Sequence, residues 1–334
     1  MRLSSGSVVP VLLLAACATS GRGGTTAGGG ASSAAMPPAG AIVPAMASPP
    51  VRGLVVPPGT GERLTYCQRP LVLTLKVDSS VAPTTRLLAG VGELRGDEGI
   101  GRHRTDDEIL YVIRGWGHAV FGTDTVPLGP GSMAHVPPGV PHRLVSRGAA
   151  PLEYFFVLGP ASSTSPEGFR DAARIGCADR ATAVAASGTS TAPAPTVPIT
   201  DGPRAVWFDP GDGDRISYCP FPLVITTKVD SASASGTRLT AAVGSLRRGA
   251  EVGTHADGDE VVYITSGRGR AFIGADTTAV EAGSVTFVPV GTRHGFVNDG
   301  GGTLEYVVVY GRGFSPAGFR RLAARPGPYC PTAS

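Results

Sequence analysis

The chain repeats itself with a period of 152 residues, and this duplication constrains its fold more than any other feature of the sequence. Residues 61–78 read GERLTYCQRPLVLTLKVD, and residues 213–230 read GDRISYCPFPLVITTKVD. The same offset relates Tyr111 to Tyr263. The repeats of solenoids and propellers are much shorter, roughly 20–50 residues. The chain is therefore predicted to contain two copies of one domain.

The hydrophobic pattern within each copy predicts β-structure. In residues 71–78, LVLTLKVD, every second side chain is apolar, which is typical of a strand with one apolar face. Residues 108–114 and 260–266 are apolar at nearly every position, which indicates strands covered on both faces. Each copy ends in a segment, 165–174 or 315–325, where Ser-Pro opens a predicted short helix. The expected class is all-β, with one short C-terminal helix per copy.

Composition favours a folded protein and argues against a nucleic-acid partner. Hydrophobic residues make up 42% of the chain and charged residues 16%, a balance typical of folded domains. The net charge is only +3 and the basic residues form no stripe, so no binding to nucleic acid is expected. The only lysines, Lys76 and Lys228, each stand two residues before an Asp. We expect these lysines to be solvated or ion-paired.

The N-terminus has the features of an export signal. Arg2 precedes an apolar run from Val8 to Ala16, which is too short to cross a bilayer, because a spanning helix needs about 20 residues. The end of the run, Leu-Ala-Ala followed by Cys17, resembles the lipobox of bacterial lipoproteins. The resemblance implies cleavage before Cys17, its acylation and a place in the bacterial cell envelope, with Ala18 favouring the outer membrane. The alternative is an ordinary signal peptide with a chance Cys.

Two stretches rich in Ala, Gly, Ser, Thr and Pro flank the first folded region. They contain too few apolar residues to bury a core, so we expect them to be flexible. The predicted organisation is a signal peptide at 1–16, a lipidated Cys and tether at 17–60, a first domain at 61–177, a linker at 178–203 and a second domain at 204–330. The lipid would be the only attachment to the membrane.

Each copy carries one cysteine near its start and one at its end. Because an exported protein meets an oxidising environment, these cysteines are free to form disulfides. Their equivalent positions predict the pairs Cys67–Cys177 and Cys219–Cys330, each closing a loop of about 110 residues, worth ~4–5 kcal/mol on the chain-entropy model. Four buried free thiols are the alternative. Spacings typical of metal sites, such as CxxC, are absent, which argues against that alternative.

Candidate metal ligands lie at repeat-matched positions in a chain with only six histidines. Two His and one carboxylate form a minimal ligand set for a divalent cation with open coordination positions. An acid in an apolar strand is costly to bury unless it is paired or bound to metal. The predicted ligands are His103, Glu108 and His142 in the first copy, and His255, Glu260 and His294 in the second.

The spacing around the last His of each set resembles the second conserved motif of the cupin superfamily. The residues that carry this motif are Gly131, Pro137, Gly139 and His142 in the first copy, and Gly283, Pro289, Gly291, His294 and Asn298 in the second. Glu108 and Glu260, each followed seven residues later by Gly, resemble the end of the first cupin motif. The resemblance covers residues 61–176 and 213–328. It implies two tandem cupin-type double-stranded β-helix (jelly-roll) barrels.

Both copies depart from the cupin pattern at the same place. Cupins with a full metal site have His-x-His before the Glu, and each copy here has one His fewer. Counted back from Glu260, His255 takes the second His position and Gly253 the first; counted forward from Gly249, His255 takes the first. Sequence alone does not choose between these registers. His135 either supplies a further ligand in the first copy or is an ordinary core residue.

The remaining ligands resemble a two-His-one-carboxylate set, which implies a divalent transition metal: Fe, Mn, Ni, Cu or Zn. The alternative is a barrel without metal, in which the same residues form a hydrogen-bonded core cluster. The first hypothesis is a metal-dependent enzyme that acts on a small molecule, of dioxygenase type, with Glu108 and Glu260 as ligands and proton acceptors. The second hypothesis is a non-catalytic envelope protein that binds a small molecule such as a sugar.

Lipidation at Cys17 is directly testable. Cells that express the wild-type chain should incorporate labelled palmitate into the protein, and the Cys17→Ser variant should not. Equal labelling of the two proteins, or none in either, would contradict the lipoprotein interpretation.

Overall fold

A computed structural model describes residues 52–98, 105–160, 166–175, 177, 203–253, 258–311, 314 and 317–330. Cys17, the predicted signal peptide, most of the predicted tether and nearly all of the predicted linker lie outside these residues. His103 and His255 also lie outside them. Within the described part of the chain, no helix is long and apolar enough to span a membrane.

The first repeat is an all-β domain with one short helix. The chain enters it through a short strand, β1 (Leu54–Val56). Next come β2 (Glu62–Thr65), β3 (Leu71–Val77), β4 (Leu88–Leu94), β5 (Asp107–Arg114), β6 (Trp116–Phe121), β7 (Asp124–Leu128), β8 (Met133–Val136), β9 (His142–Arg147), β10 (Leu152–Gly159) and α1 (Glu167–Arg174).

The second repeat has the same arrangement. Its elements are β11 (Val206–Phe208), β12 (Asp214–Ser217), β13 (Leu223–Val229), β14 (Thr240–Leu246), β15 (Gly249–Ala250), β16 (Glu260–Ser266), β17 (Arg268–Ile273), β18 (Asp276–Glu281), β19 (Val285–Val288), β20 (His294–Asn298), β21 (Leu304–Tyr310) and α2 (Ala317–Ala323). Both predicted C-terminal helices are present. The predicted all-β class, with two jelly-roll domains, is confirmed.

Each repeat folds as a large and a small antiparallel sheet that face one another. The large sheets have the strand orders β11-β8-β5-β10-β4-β3-β2 and β1-β19-β16-β21-β14-β13-β12. The small sheets have the orders β7-β6-β9 and β15-β20-β17-β18. A core of buried apolar residues fills the space between the two sheets of each repeat.

The two repeats exchange their first strands. β1 pairs with β19 of the second repeat, placing Leu54 opposite Phe287, and β11 pairs with β8 of the first repeat, placing Val206 opposite His135. Each large sheet is thus completed by the strand that precedes the other repeat. The prediction of a tether to residue 60 is therefore wrong at its C-terminal end, because pairing with β19 orders residues 54–56.

A third apolar core joins the repeats, because the outer faces of the two large sheets pack together. On β5, Leu110 faces the inside of its barrel, whereas the next residue, Tyr111, belongs to the shared core. The rings of Phe155 and Tyr263 stack across this core with centroids 5.0 Å apart. The apolar runs at 108–114 are therefore covered on both faces, as predicted.

The two lysines are buried, so the prediction of solvated or ion-paired lysines is wrong. Lys228 Nζ donates hydrogen bonds to the carbonyl oxygens of Asp209 at 2.6 Å, Asp212 at 3.0 Å and Pro210 at 3.1 Å. Lys76 Nζ donates to the carbonyl oxygen of Pro57 at 2.9 Å. Both sets of carbonyls belong to the turns just after the exchanged strands. The lysines therefore hold β1 and β11 in place through backbone contacts.

Both predicted disulfides are present in the structure. Cys67 is bonded to Cys177 with their Cα atoms 5.1 Å apart, and Cys219 is bonded to Cys330 with their Cα atoms 4.1 Å apart. Each bond joins the start of a repeat to the segment at or after its C-terminal helix. The disulfides thus fasten α1 and α2 to their barrels.

The strand exchange predicts that the stability of an N-terminally truncated chain depends on whether the truncation removes β1. A chain lacking residues 1–60 loses β1, leaves the edge of β19 unpaired and removes two aliphatic side chains from the shared core. We expect a loss of roughly 3–6 kcal/mol in the free energy of unfolding. A chain lacking only residues 1–48 keeps β1 and serves as the control. Equal urea midpoints for the two chains would contradict the structural role of β1.

Candidate metal site

The His of each site is oriented by the turn that precedes it. In the second repeat Gly291 adopts φ +76, a left-handed conformation that suits glycine, and returns the chain into β20 at His294. The His294 ring contacts the carbonyl oxygen of Thr292 through Nδ1 at 2.7 Å. A carbonyl can only accept, so Nδ1 carries the hydrogen and Nε2 points to Glu260, whose Oε2 lies 3.3 Å away.

The first repeat has the same arrangement. Gly139, with φ +83, precedes His142, whose Nδ1 donates to the carbonyl oxygen of Val140 at 3.0 Å. His142 Nε2 lies 3.0 Å from Glu108 Oε2. Both Glu side chains face the inside of their barrels because each lies at the start of a strand, in line with the alternate residues that fill the barrel core. The structure thus brings together two of the three predicted ligands in each repeat.

The contact between Nε2 and the carboxylate needs a positive charge between the two groups. A neutral His with its hydrogen on Nδ1 would direct a lone pair at a carboxylate oxygen, which is repulsive. Without metal, a proton fills this role: burial by itself would lower the pKa of His142, but the Glu108 carboxylate outweighs burial and raises that pKa to about 9. Glu260 has the same effect on His294, whose pKa also rises to about 9.

The same donors fit a divalent transition metal. Metal-binding His residues commonly donate their second ring N–H to a carbonyl, as His142 and His294 do. Two ligands at about 2.1 Å from a metal and at right angles to each other lie about 3.0 Å apart, close to the observed separations of Nε2 from Oε2. Within the described residues no three His, Cys, Asp or Glu side chains form a metal-holding group. A complete site would therefore need ligands from the segments that contain His103 and His255.

Position 253 faces the site in the second repeat. Gly253 forms an isolated antiparallel bridge with His294, and a Cβ atom at this position would lie 3.2 Å from His294 Nε2. This geometry agrees with the register counted back from Glu260, in which Gly253 replaces the first His of the pair. In the second repeat the position of the absent His is thus occupied by Gly253, which lies directly beside His294.

The two sites open into cavities of very different size. The cavity at His294 and Glu260 has a volume of about 530 Å³, whereas the cavity at His142 and Glu108 has about 110 Å³. Phe156 on β10 points into the first barrel, and the equivalent residue on β21 is the smaller Val308. The ring of Phe156 stacks on that of Phe169 with their centroids 6.1 Å apart. Aromatic packing therefore fills the first barrel, while the second retains space for a ligand.

Comparison with protein families agrees with this architecture. Residues 91–158 and 243–310 each match the family model described as a cupin domain. The two repeats thus each contain a region that matches the cupin domain. No curated protein matches the chain by sequence.

Several solved structures share the paired arrangement of cupin domains. The protein Ylba from E. coli matches with a TM-score of 0.58 and 14% identity, over 79% of this chain and 93% of that one. A putative glyoxylate-induced protein from Pseudomonas aeruginosa matches with a TM-score of 0.57 and 13% identity, over 79% of this chain and 90% of that one. Oxalate decarboxylase from Bacillus subtilis matches with a TM-score of 0.57 and 16% identity, over 80% of this chain and 79% of that one. Each match is longer than one cupin domain, and at these identities the likeness concerns the fold.

A further glutamate lines each cupin cavity and was not predicted from the sequence. Tyr306 donates its hydroxyl to Glu251 Oε1 at 2.8 Å, and Tyr154 donates to Glu98 Oε2 at 3.1 Å. Burial raises the pKa of Glu251 and of Glu98 to about 7. The repeat offset hides their equivalence, because 152 residues relate Glu98 to Ala250 rather than to Glu251.

Backbone hydrogen bonds reveal this equivalence. The amide of Glu98 donates to the carbonyl of Leu144, and the amide of Glu251 donates to the carbonyl of Phe296, which lies 152 residues after Leu144. One of the two repeats has therefore gained or lost one residue just before its glutamate. An alignment that allowed a one-residue gap between the cupin domains would have matched the two.

His135 lies outside the site. On β8 it faces away from the barrel interior, and its Nε2 lies 2.8 Å from Oδ1 of Asp107 in the same domain. Arg238 of the second domain donates to Asp107 Oδ2 at 2.7 Å. The sequence-based suggestion that His135 supplies a further metal ligand is therefore wrong, because the alternation of β8 directs it away from the barrel interior.

The four shifted groups predict how stability depends on pH without metal. The folded pKa values of His142 and His294, about 9, exceed the ordinary value of 6.5, and those of Glu98 and Glu251, about 7, exceed 4.5. In all four cases the folded state binds more protons, so stability falls as pH rises through these values. We expect the melting temperature in EDTA to fall from about pH 5 to about pH 9, and Glu251→Gln to reduce the slope. A constant or rising melting temperature would contradict these pKa shifts.

Proposed function

We propose that the protein is a lipid-anchored envelope protein whose second cupin domain binds a divalent transition metal and a small molecule, and catalyses a dioxygenase-type reaction. The observation that carries this proposal is the contact of His294 Nε2 with Glu260 inside a cavity of about 530 Å³. Envelope attachment rests on the lipobox-like sequence that ends at Cys17.

The ligand set follows from the paired residues and the cupin pattern. His255, Glu260 and His294 would hold the metal in the second domain; His103, Glu108 and His142 are the corresponding set in the first. Fe, Mn, Ni, Cu and Zn all suit imidazole and carboxylate ligands. The oxalate decarboxylase with which the chain shares its fold is described as having Mn(II) centers, which supports a metal in this type of barrel.

The second domain supplies the better environment for a reaction. A bound metal would polarise a substrate oxygen or activate dioxygen or water. The walls of the cavity include Leu223, Ile225 and Phe319, which would exclude bulk water from the bound molecule. Glu251 lines the same cavity, and its carboxylate can accept a hydrogen bond from a ligand hydroxyl or amine.

A non-catalytic function is the second candidate, and one observation favours it. Gly253 faces His294 Nε2 where a cupin with a full site has a ligand, so metal would be held by one His fewer. A weakened or lost metal site would leave a cavity suited to binding a small molecule such as a sugar. Measurement of bound metal separates the two functions.

The two cupin domains provide matched variants for this measurement. We expect Fe, Mn, Ni, Cu or Zn to raise the melting temperature of the full-length protein, because a ligand at 100 times its Kd stabilises by about 2.7 kcal/mol. His294→Ala should abolish most of this rise. His142→Ala, the equivalent change in the smaller cavity, should have little effect.

The outcomes distinguish the candidates. If the wild-type protein neither retains any of these metals nor is stabilised by them, the ligand-binding function replaces the metal-dependent one. If only His142→Ala removes the stabilisation, the first domain holds the metal and the assignment to the second is wrong.

A further inference from the structure

The two cupin domains differ at the residue directly opposite the site glutamate. Across β16 and β21, Glu260 pairs with Tyr310; across β5 and β10, Glu108 pairs with Leu158. Residues opposite each other in an antiparallel pair share a face, with Cβ atoms about 5 Å apart. The second domain therefore has a phenol beside its glutamate, where the first has an aliphatic side chain.

Burial and, next, the nearby Glu260 carboxylate raise the pKa of Tyr310, so the phenol keeps its hydrogen and can donate it to Glu260. Tyr310 lines the same cavity as His294 and Glu260, and only 8% of its surface is exposed. A phenol donates its hydrogen to a carboxylate, which can only accept. Tyr310 is thus placed to donate a hydrogen bond to Glu260, whose Oε2 faces His294 Nε2.

Aromatic contacts hold the ring of Tyr310 in place. The ring of Phe314 stacks on that of Tyr310 at a centroid distance of 3.8 Å and an angle of 10°. The ring of Phe319, on α2, meets Tyr310 edge-on at 5.6 Å. The C-terminal segment therefore clamps the ring, and displacement of the phenol oxygen away from Glu260 would disrupt this packing.

We propose that Tyr310 is a positioning residue for Glu260 and makes the second cupin domain the stronger metal site. This inference rests on the proposed function. A carboxylate held in one orientation loses less freedom when it binds a metal, and a hydrogen bond to a ligand commonly contributes 10–100-fold, approximately, to metal affinity. Leu158, the residue opposite Glu108 in the first domain, has no hydroxyl to donate.

The test measures metal binding alone, with Co(II) as the probe. The parent is the full-length chain with His142→Ala, which limits binding to the second domain. In this parent, Tyr310→Phe removes one hydroxyl and keeps the ring between Phe314 and Phe319. Tyr263→Phe is the matched control, because Tyr263 lies on β16 but faces the core shared by the two domains.

We expect Tyr310→Phe to raise the Kd for Co(II) by about tenfold or more and to change the visible absorption of bound Co(II). Tyr263→Phe should leave both unchanged. The spectrum reports the ligand geometry, so a change confined to Tyr310→Phe would not arise from general destabilisation.

Two results would overturn the inference: equal Kd and spectrum for Tyr310→Phe and its parent, or the same loss in Tyr263→Phe. If the parent itself binds no Co(II), the proposed metal function has failed, and the positioning role of Tyr310 fails with it. The measurement on the parent thus separates failure of the function from failure of the inference.

Discussion

The burial of the outer faces of the two large sheets against each other is the constraint on which the rest of the structure depends. Each large sheet must be apolar on both faces, one for its own barrel and one for its neighbour, and β5 and β16 meet this requirement residue by residue. The exchanged strands extend this contact, and the buried lysines fasten the turns that follow them. The two repeats therefore form one compact unit.

The same alternation of side chains along the strands determines where the candidate ligands lie. Because Ile109 and Val261 face the shared core, the preceding Glu108 and Glu260 must face the barrel interiors. Each glutamate then meets a His whose second nitrogen is already bound to a carbonyl. Packing between the domains and orientation of the candidate ligands are thus consequences of one strand pattern, and the sites differ through what surrounds them.

Much of this arrangement could be predicted from sequence because it rests on local patterns. Period-two alternation, the glycine-bearing turn before His142 and the matched cysteines are all visible along the chain. The strand exchange could not be predicted, because Leu54–Val56 is only three residues long and its partner is remote. Glu251 was hidden by a one-residue slip, and the contrast between the cavities depends on the volumes of Phe156 and Val308 in three dimensions. The full ligand sets stay predictions, because His103 and His255 lie outside the described residues.

The exchange of strands also imposes an order on folding. Leu54 emerges early in synthesis, yet its partner Phe287 follows only about 230 residues later, and the first barrel likewise waits for Val206. The first large sheet stays incomplete until residues 206–208 have been made, and the second until β21, Leu304–Tyr310, has been made. Neither domain can therefore complete its large sheet from its own repeat alone, and each needs a strand from the segment that precedes the other.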